Sequence, residues 1–313
     1  MKHTLKITLI LVAIFLISQV VGLAITGEYI NIEEKTVIDE TGKEVVVKDL
    51  SYVELPYISR PVVEESTSFL YIMSAVLIGT LLVLILIKFK KVNIWRFWFF
   101  LAVWICLTVA LGAFIPSRIA AIVGFVFAGL KVLRPTVVIH NLTEVFVYGG
   151  LAAIFVPIMN LFAAAMLLVL ISIYDMYAVW KSKHMVKLAK FVSSSKLFAG
   201  LAIPYKKPKK GKMVKVKEKA KGILKRGKVR VAILGGGDIG FPLLFSGVVM
   251  KTLILDSYLV GFLKTLIVSV FASIALLWLL IKGKKEHFYP AMPFLSAGCF
   301  LGYAVVLLVS LFF

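Results

Sequence analysis

Apolar runs of about 20 residues recur along the whole sequence, and they constrain the fold more than any other feature. Nine runs can be separated, at residues 5–26, 67–87, 95–114, 119–133, 141–156, 157–180, 229–250, 253–281 and 290–313. A helix of roughly 20 apolar residues matches the hydrocarbon core of a bilayer. Hydrophobic residues make up 61% of the chain, against about 45–50% in soluble domains. The sequence therefore predicts an all-α polytopic membrane protein with nine transmembrane helices.

The basic residues cluster at every second connection between these runs. Lysine and arginine favour the cytoplasmic flanks of membrane spans. If the N-terminus is cytoplasmic, the inner flanks hold the basic groups at 2–6, 88–96, 131–134 and 282–285, together with the 18 basic residues of 181–230. The loop at 27–66, which has ten acids and four bases, then lies outside. We predict a multi-pass protein of the cell membrane whose N-terminus and 181–228 loop are cytoplasmic and whose C-terminus is extracytoplasmic.

The chain divides into three parts on this topology. Residues 1–180 carry helices 1–6 with the acidic extracytoplasmic loop at 27–66, residues 181–228 form a basic cytoplasmic loop, and residues 229–313 carry helices 7–9. Within the acidic loop, β-branched runs at 36–38 and 45–47 predict a hairpin with Thr41-Gly42 in its turn. The first run exceeds the roughly 7–15 apolar residues of a signal peptide, so we predict a retained helix.

The net charge of +20 does not indicate nucleic-acid binding. Half of the basic residues lie at 181–230 beside the membrane, where anionic lipid headgroups are the expected partner. We also expect segment 191–204 to rest in the lipid interface with Phe191, Leu197, Phe198 and Leu201 turned inward. Two cysteines and four scattered histidines show no metal-ligand spacing, so we predict no metal and no cofactor. Nothing in the sequence predicts the oligomeric state.

We expect Asp175 and Asp238 to lie inside apolar runs, and Glu144 to lie at the edge of one. An acid inside a membrane span is costly and is a functional candidate by default. Helices 6 and 7 are antiparallel and joined on the cytoplasmic side, so the two aspartates reach similar depth at 1.5 Å per residue. Two such carboxyls share a proton, and one can activate water while the other protonates an amide. On position alone, a cation or proton transporter remains an alternative, although no internal repeat typical of transporters is visible.

Glycines and prolines lie beside these acids. Gly235 and Gly237 allow close backbone approach next to Asp238, or simple helix packing. The segment Pro290-Ala291-Met292-Pro293 opens the last run and leaves backbone carbonyls without helical partners, a pattern tolerated at membrane depth where it lines a cavity. A proline in the first turn of an ordinary helix is the other interpretation.

The same stretch contains a dinucleotide-binding fingerprint, Gly235-x-Gly237-x-x-Gly240 after an apolar run that resembles a strand. The following segment, 241–245, is apolar on every side and contains proline, unlike an amphipathic crossover helix. Two further apolar runs then leave no material for a doubly wound domain. We therefore do not predict a nucleotide site.

Three motifs, Tyr174-Asp175, Gly235-x-Gly237-Asp238 and Pro290-Ala291-Met292, follow one another in the order found in the presenilin and signal peptide peptidase family, which the chain resembles over its membrane region. That resemblance implies an intramembrane aspartic protease that cleaves transmembrane helices of substrate proteins. Asp175 and Asp238 would be catalytic, and the supporting or substrate-binding residues would be Tyr174, Gly235, Gly237, Pro290, Ala291 and Met292. Met292 replaces the family's leucine. The Gly-x-Gly-Asp motif alone also occurs in prepilin-type peptidases, which are the second alternative.

The cytoplasmic position of the long loop resembles presenilin orientation, and the compact chain resembles a prokaryotic homologue. A presenilin-like enzyme would accept helices whose N-terminus lies outside. Segment 228–233 alternates basic and β-branched residues before Gly235. This segment is either an extended edge that binds an unwound substrate by strand addition or the first turns of helix 7.

Overall fold

A computed structural model of the chain describes residues 5–38, 44–89, 91–182, 198–205, 230–255, 257–283 and 289–312. Nine α-helices and four strands lie in that part of the chain: α1 (Leu5–Gly27), β1 (Ile30–Ile38), β2 (Glu44–Tyr52), α2 (Ser68–Lys88), α3 (Val92–Gly112), α4 (Ser117–Leu133), α5 (Val137–Phe155), α6 (Leu161–Tyr177), β3 (Gly200–Tyr205), β4 (Arg230–Gly235), α7 (Gly236–Leu253), α8 (Tyr258–Lys282) and α9 (Met292–Phe312). The helices follow the nine predicted runs in order. Seven of these helices are long and apolar enough to cross a membrane, and the two that do not meet this criterion are α4 and α7.

Helices α5 and α6 are separated at the predicted break. A short 3-10 turn, Val156–Ile158, contains Pro157, which cannot continue the hydrogen-bonding pattern of α5. Asn160 then caps α6, because its side-chain oxygen accepts from the backbone N–H of Ala163 at 2.8 Å. At its other end α6 passes into a π-helical turn, Ala178–Ser182. Because of this break, α6 is a separate helix with its own orientation, and Asp175 lies inside the bundle.

The acidic loop contains the predicted hairpin. Strands β1 and β2 pair antiparallel from Ile30 opposite Tyr52 to Ile38 opposite Glu44, so the hairpin is longer than the two β-branched runs alone. The exposed ion pair between Lys35 and Asp49, at 2.6 Å, crosses the two strands. Thr41 and Gly42 lie outside the described residues.

Helix α7 is the centre of the bundle. It packs against α1, α5, α6, α8 and α9, and every residue from 239 to 251 except Phe241 is buried. A helix that is apolar on all sides is stable only when surrounded by protein or lipid. Helix α2 is the opposite case, since only 6% of its apolar segment is buried and it packs mainly on α6. The helix that carries Asp238 is therefore shielded from lipid by its neighbours.

The segment before α7 is a strand and not the beginning of the helix. Strand β4 pairs antiparallel with β3, from Gly200 opposite Gly235 to Tyr205 opposite Arg230. The helix begins only at Gly236, seven residues later than the start of the predicted run at 229. Strand β4 pairs antiparallel with β3, which precedes it in the chain, so the local strand–glycine–helix sequence does not build a dinucleotide-binding unit.

Strand β3 lies inside the 181–228 segment that was assigned to the basic loop. It packs against α1, α5 and α7, and Leu201 is completely buried by them. The expectation that Leu201 faces the lipid interface is therefore wrong, because pairing with β4 draws this part of the segment into the protein. Phe191 and Leu197 lie outside the described residues.

Candidate active site

Asp175 and Asp238 are carried by two helices that pack against each other, α6 and α7. The opposite ends of these helices are tied by Lys251 of α7, whose ammonium donates to the backbone oxygen of Met159 at 2.9 Å. Measured from that end at about 1.5 Å per residue, segments 161–175 and 238–251 both span about 20 Å. The two carboxyl groups therefore lie at the same depth in the bundle, as the antiparallel arrangement predicts.

Asp175 is buried against the start of α9. Only 6% of the residue is exposed, and its Oδ2 accepts from the backbone N–H of Met292 at 3.1 Å. The backbone N–H of Ala291 interacts with the same carboxyl group. The first N–H groups of a helix have no partner within the helix and carry the positive end of its dipole, so they favour an anionic acceptor. The predicted Pro290-Ala291-Met292 motif thus lies directly at Asp175.

A second polar contact holds the same two helices together. Ser172, one turn before Asp175, shares a hydrogen bond of 2.9 Å with Ser296 of α9. Both serines are buried, where a hydroxyl needs a partner. Pro290 is buried as well, whereas Tyr174 is half-buried beside Asp175. The start of α9 is therefore held at α6 by the bonds to Asp175 and, one turn away, by the bond between Ser172 and Ser296.

Asp238 lies in the first turn of α7 and is half-buried. A β-carbon at Gly235 would lie 3.2 Å from Oδ2 of Asp238, and one at Gly237 would lie 3.2 Å from the ring of Phe241. A side chain at Gly235 would therefore crowd Asp238, and one at Gly237 would crowd Phe241. Pro242, four residues further on, has no N–H, so the helical hydrogen bond between residues 242 and 238 does not form.

The middle glycine of the motif is more confined than its neighbours, which the sequence did not indicate. A β-carbon at Gly236 would lie 2.5 Å from the hydroxyl of Tyr148 on α5. That hydroxyl donates to Glu144, and Glu144 also forms an ion pair with Lys131 of α4. Glu144 and Lys131 are each 1% exposed. Assigning Glu144 to the edge of a run was therefore wrong, and Lys131 is not a free charge at the membrane surface.

One edge of the two-stranded sheet is covered by α5, and the other pairs with no strand among the described residues. Asn141 of α5 covers β3, since its amide group accepts from Ala202 N at 2.9 Å and donates to Ala202 O at 3.0 Å. His140 and Glu144 bind the carbonyl and the N–H of Gly200 in the same way. In an antiparallel pair the residues opposite such positions turn their own N–H and C=O groups outward. Val231, Ile233 and Gly235 therefore face the outer edge of β4, which pairs with no strand in the part of the chain that the structure describes.

Successive side chains along β4 alternate between the protein interior and the exposed face of the sheet. Leu201, Ala232 and Leu234 point inward and are buried, whereas Val231 and Ile233 are 43% and 55% exposed. Among the described residues, no group of three His, Cys, Asp or Glu side chains is placed to hold a metal ion. The site thus consists of two buried or half-buried acids, the N-terminus of α9 and an open strand edge.

The sequence and the fold both have known counterparts. The sequence model of the family described as signal-peptide peptidase, presenilin aspartyl protease matches residues 12–311. A presenilin family intramembrane aspartate protease crystallised in space group C222 matches the fold with a TM-score of 0.59 at 17% identity, covering 96% of this chain and 99% of that one. The same kind of protease in space group P2 gives a TM-score of 0.56 at 18% identity, covering 96% of each chain. No curated protein sequence matches significantly.

Proposed function

We propose, starting from the fact that this chain belongs to the signal-peptide peptidase and presenilin family of aspartyl proteases, that Asp175 and Asp238 are its catalytic pair. The chain is an intramembrane aspartic endopeptidase, and membership of this family decides against the transporter and prepilin-peptidase alternatives. The observation that carries the assignment is the placement of two acids at one depth on packed, antiparallel helices, with α9 docked on one of them.

The two carboxyl groups supply the acid and the base that peptide hydrolysis needs. In a low-dielectric site, a pair of carboxyls holds one proton between them, because both cannot ionise easily. The ionised member accepts a proton from water as the water attacks the scissile carbonyl. The protonated member then donates to the leaving nitrogen. Burial of Asp175 keeps bulk water from that acid and strengthens its interactions.

Alanine substitution of either acid is the direct test. We expect Asp175→Ala and Asp238→Ala each to abolish cleavage of a transmembrane peptide in detergent, and to leave the thermal unfolding temperature nearly unchanged. Removing an acid from an apolar surrounding relieves a desolvation cost. Asp49→Ala, at the exposed hairpin, is the control and keeps full activity. Cleavage near the wild-type rate in either core variant contradicts the catalytic pair.

The substrates in this proposal are transmembrane helices of other proteins, which are unwound and paired with β4. The outward N–H and C=O groups of Val231 and Ile233 offer a ladder for an added strand, and the exposed side chains leave that edge accessible. Gly235 ends β4 three residues before Asp238, so a strand paired there presents its peptide bonds near the acids. The other edge is closed by α5, which leaves β4 as the docking edge.

A proline at position 231 tests strand addition directly. Val231→Pro removes an N–H that faces outward and leaves the bonds between β3 and β4 intact. Strand β3 already has Pro204 at the position opposite Val231. Val231→Ala is the matched control, because it also loses the valine side chain and keeps the N–H. We expect the proline variant to cleave much more slowly than the alanine variant, and equal rates contradict strand addition.

The topology completes the proposal. The N-terminus and the 181–228 loop are cytoplasmic, the C-terminus is extracytoplasmic, and the loop's lysines bind anionic lipid headgroups at the inner surface. Single cysteines introduced at positions 2 and 46 test this in intact cells with a membrane-impermeant thiol reagent. Labelling at position 46 and protection at position 2 support the orientation, and the reverse pattern contradicts it.

A further inference from the structure

A buried ion pair lies behind the start of α7, and the proposed chemistry does not use it. Lys131 and Glu144 are each 1% exposed, on the neighbouring helices α4 and α5. Replacing such a pair by apolar residues of similar volume often leaves stability unchanged or raises it. Stability alone therefore does not explain the ion pair, and its role has to be sought in the other contacts of Glu144.

Glu144 connects the ion pair to the place where the sheet meets the catalytic helix. Its Oε1 accepts from Lys131, and its Oε2 accepts from the backbone N–H of Gly200 at 2.9 Å and from the hydroxyl of Tyr148. Gly200 lies opposite Gly235, and the N–H of Gly236 donates to the carbonyl of Ala199 at 3.2 Å. We call residues 199–200 and 235–236 the sheet–helix junction. Both donors to Oε2 lie at this junction: Gly200 belongs to it, and the Tyr148 hydroxyl lies beside Gly236.

The junction is packed so closely that neither Gly200 nor Gly236 could carry a side chain without a clash. Gly200 has a φ of +133°, which glycine adopts easily, and a β-carbon there would lie 2.1 Å from the carbonyl oxygen of Leu234. A β-carbon at Gly236 would lie 2.5 Å from the Tyr148 hydroxyl. Asp238 follows Gly236 by two residues within the same helical turn. A displacement of the junction therefore displaces Asp238 and the strand edge together.

We propose that Glu144 is a positioning residue for the reaction. With its charge balanced by Lys131, its carboxylate holds the junction through Gly200 and Tyr148. It thereby sets the position of Asp238 and the register of a substrate strand along β4. The roles of Asp238 and β4 rest on the proposed function. The hold on the junction is a property of the fold and can be measured without any cleavage.

Two double variants separate the acceptor from the charge. Lys131→Met/Glu144→Gln removes both charges and keeps an oxygen that can accept from Gly200 and Tyr148. Lys131→Met/Glu144→Met removes both charges and the acceptor, with side chains of nearly the same length. Both variants avoid leaving Lys131 as an unpaired buried charge. Amide hydrogen exchange of segments 199–205 and 230–236 reports the junction directly, and mass spectrometry of the products reports where the substrate is cut.

We expect the Met double variant to exchange these amides at least about tenfold faster than the Gln double variant. Its kcat is expected to be roughly 10- to 100-fold lower, since a displacement of about 1 Å costs that much in a positioned reaction. Its cut sites are expected to spread over neighbouring bonds, which a purely structural role of Glu144 would not cause. Equal exchange rates in the two double variants, whether fast or slow, overturn the proposal.

Tyr148→Phe tests the same hold by the loss of one hydroxyl, and it keeps the proposal testable if the Met double variant does not fold. We expect faster exchange at segment 230–236 and a wider spread of cut sites, whereas wild-type exchange and wild-type cut sites overturn the proposal. The proposed function fails separately, if the wild type cleaves no faster than Asp238→Ala. In that case the exchange measurement still decides whether Glu144 holds the junction.

Discussion

The backbone N–H of Met292 is a single donor whose contribution to catalysis can be isolated. It donates to Oδ2 of Asp175 at 3.1 Å, at the first residue of α9. Proline at this position removes the N–H and breaks no bond within the helix, because the first N–H groups of a helix have no helical acceptor. Met292→Pro therefore deprives Asp175 of one donor and leaves the rest of α9 able to form.

The expected size of the effect follows from the kind of hydrogen bond. A hydrogen bond to a charged group contributes about 1.5–3 kcal/mol. If it orients Asp175 in the transition state, its loss lowers kcat/KM by roughly 10- to 150-fold, at about 1.4 kcal/mol for each factor of ten. Met292 is also a core residue, 3% exposed, so its truncation costs stability as well.

Met292→Ala is the control that removes this second effect. It loses the same buried side chain and keeps the N–H, so the ratio of kcat/KM between the alanine and proline variants reports the donor alone. The assay is cleavage of a fluorogenic transmembrane peptide in detergent, with thermal unfolding of both variants measured alongside, because proline also restricts Ala291. Equal kcat/KM values within about threefold, for two variants of equal thermal stability, would falsify the reasoning.

Two further predictions concern the pair and the packing. The rate of cleavage is expected to be bell-shaped in pH if the proposed carboxyl pair is active only when singly protonated, and a flat profile from roughly pH 4 to 8 speaks against proton sharing. Gly150→Ala is expected to lower the thermal unfolding temperature, since its β-carbon would lie 2.0 Å from the Cys106 carbonyl oxygen, whereas Gly129→Ala, with no atom within 4 Å, is expected to be neutral or stabilising. Similar shifts for the two glycines refute this account of the α3–α5 contact.

The features that could be predicted from the sequence are those that short segments determine by themselves. An apolar run of membrane length is one such feature, and so is the proline-containing break at 157–160, which the structure reproduces between α5 and α6. The order of the motifs assigned the Pro290-Ala291-Met292 segment to the site, but its hydrogen bond to Asp175 was not predicted and comes from the structure alone.

The features that were missed depend on contacts between distant segments. Lys131 and Glu144 each lie near the end of a predicted run, 119–133 and 141–156, and a charge at such a place is usually solvated. Only the packing of α4 against α5 buries them together. Strand β3 was missed for a similar reason, since its lysine-rich flanks indicate a surface loop and its partner β4 lies 30 residues further along the chain.

The open edge of β4 has a consequence for hydration. The N–H and C=O groups of Val231 and Ile233 face outward immediately before a helix that enters the apolar bundle. Lipid tails offer such groups no hydrogen bonds, so a strand edge beside the apolar bundle is stable without a paired strand only while water molecules solvate it. An unoccupied strand edge thus draws solvent toward Asp238, and hydrolysis consumes one molecule of that solvent at each turnover.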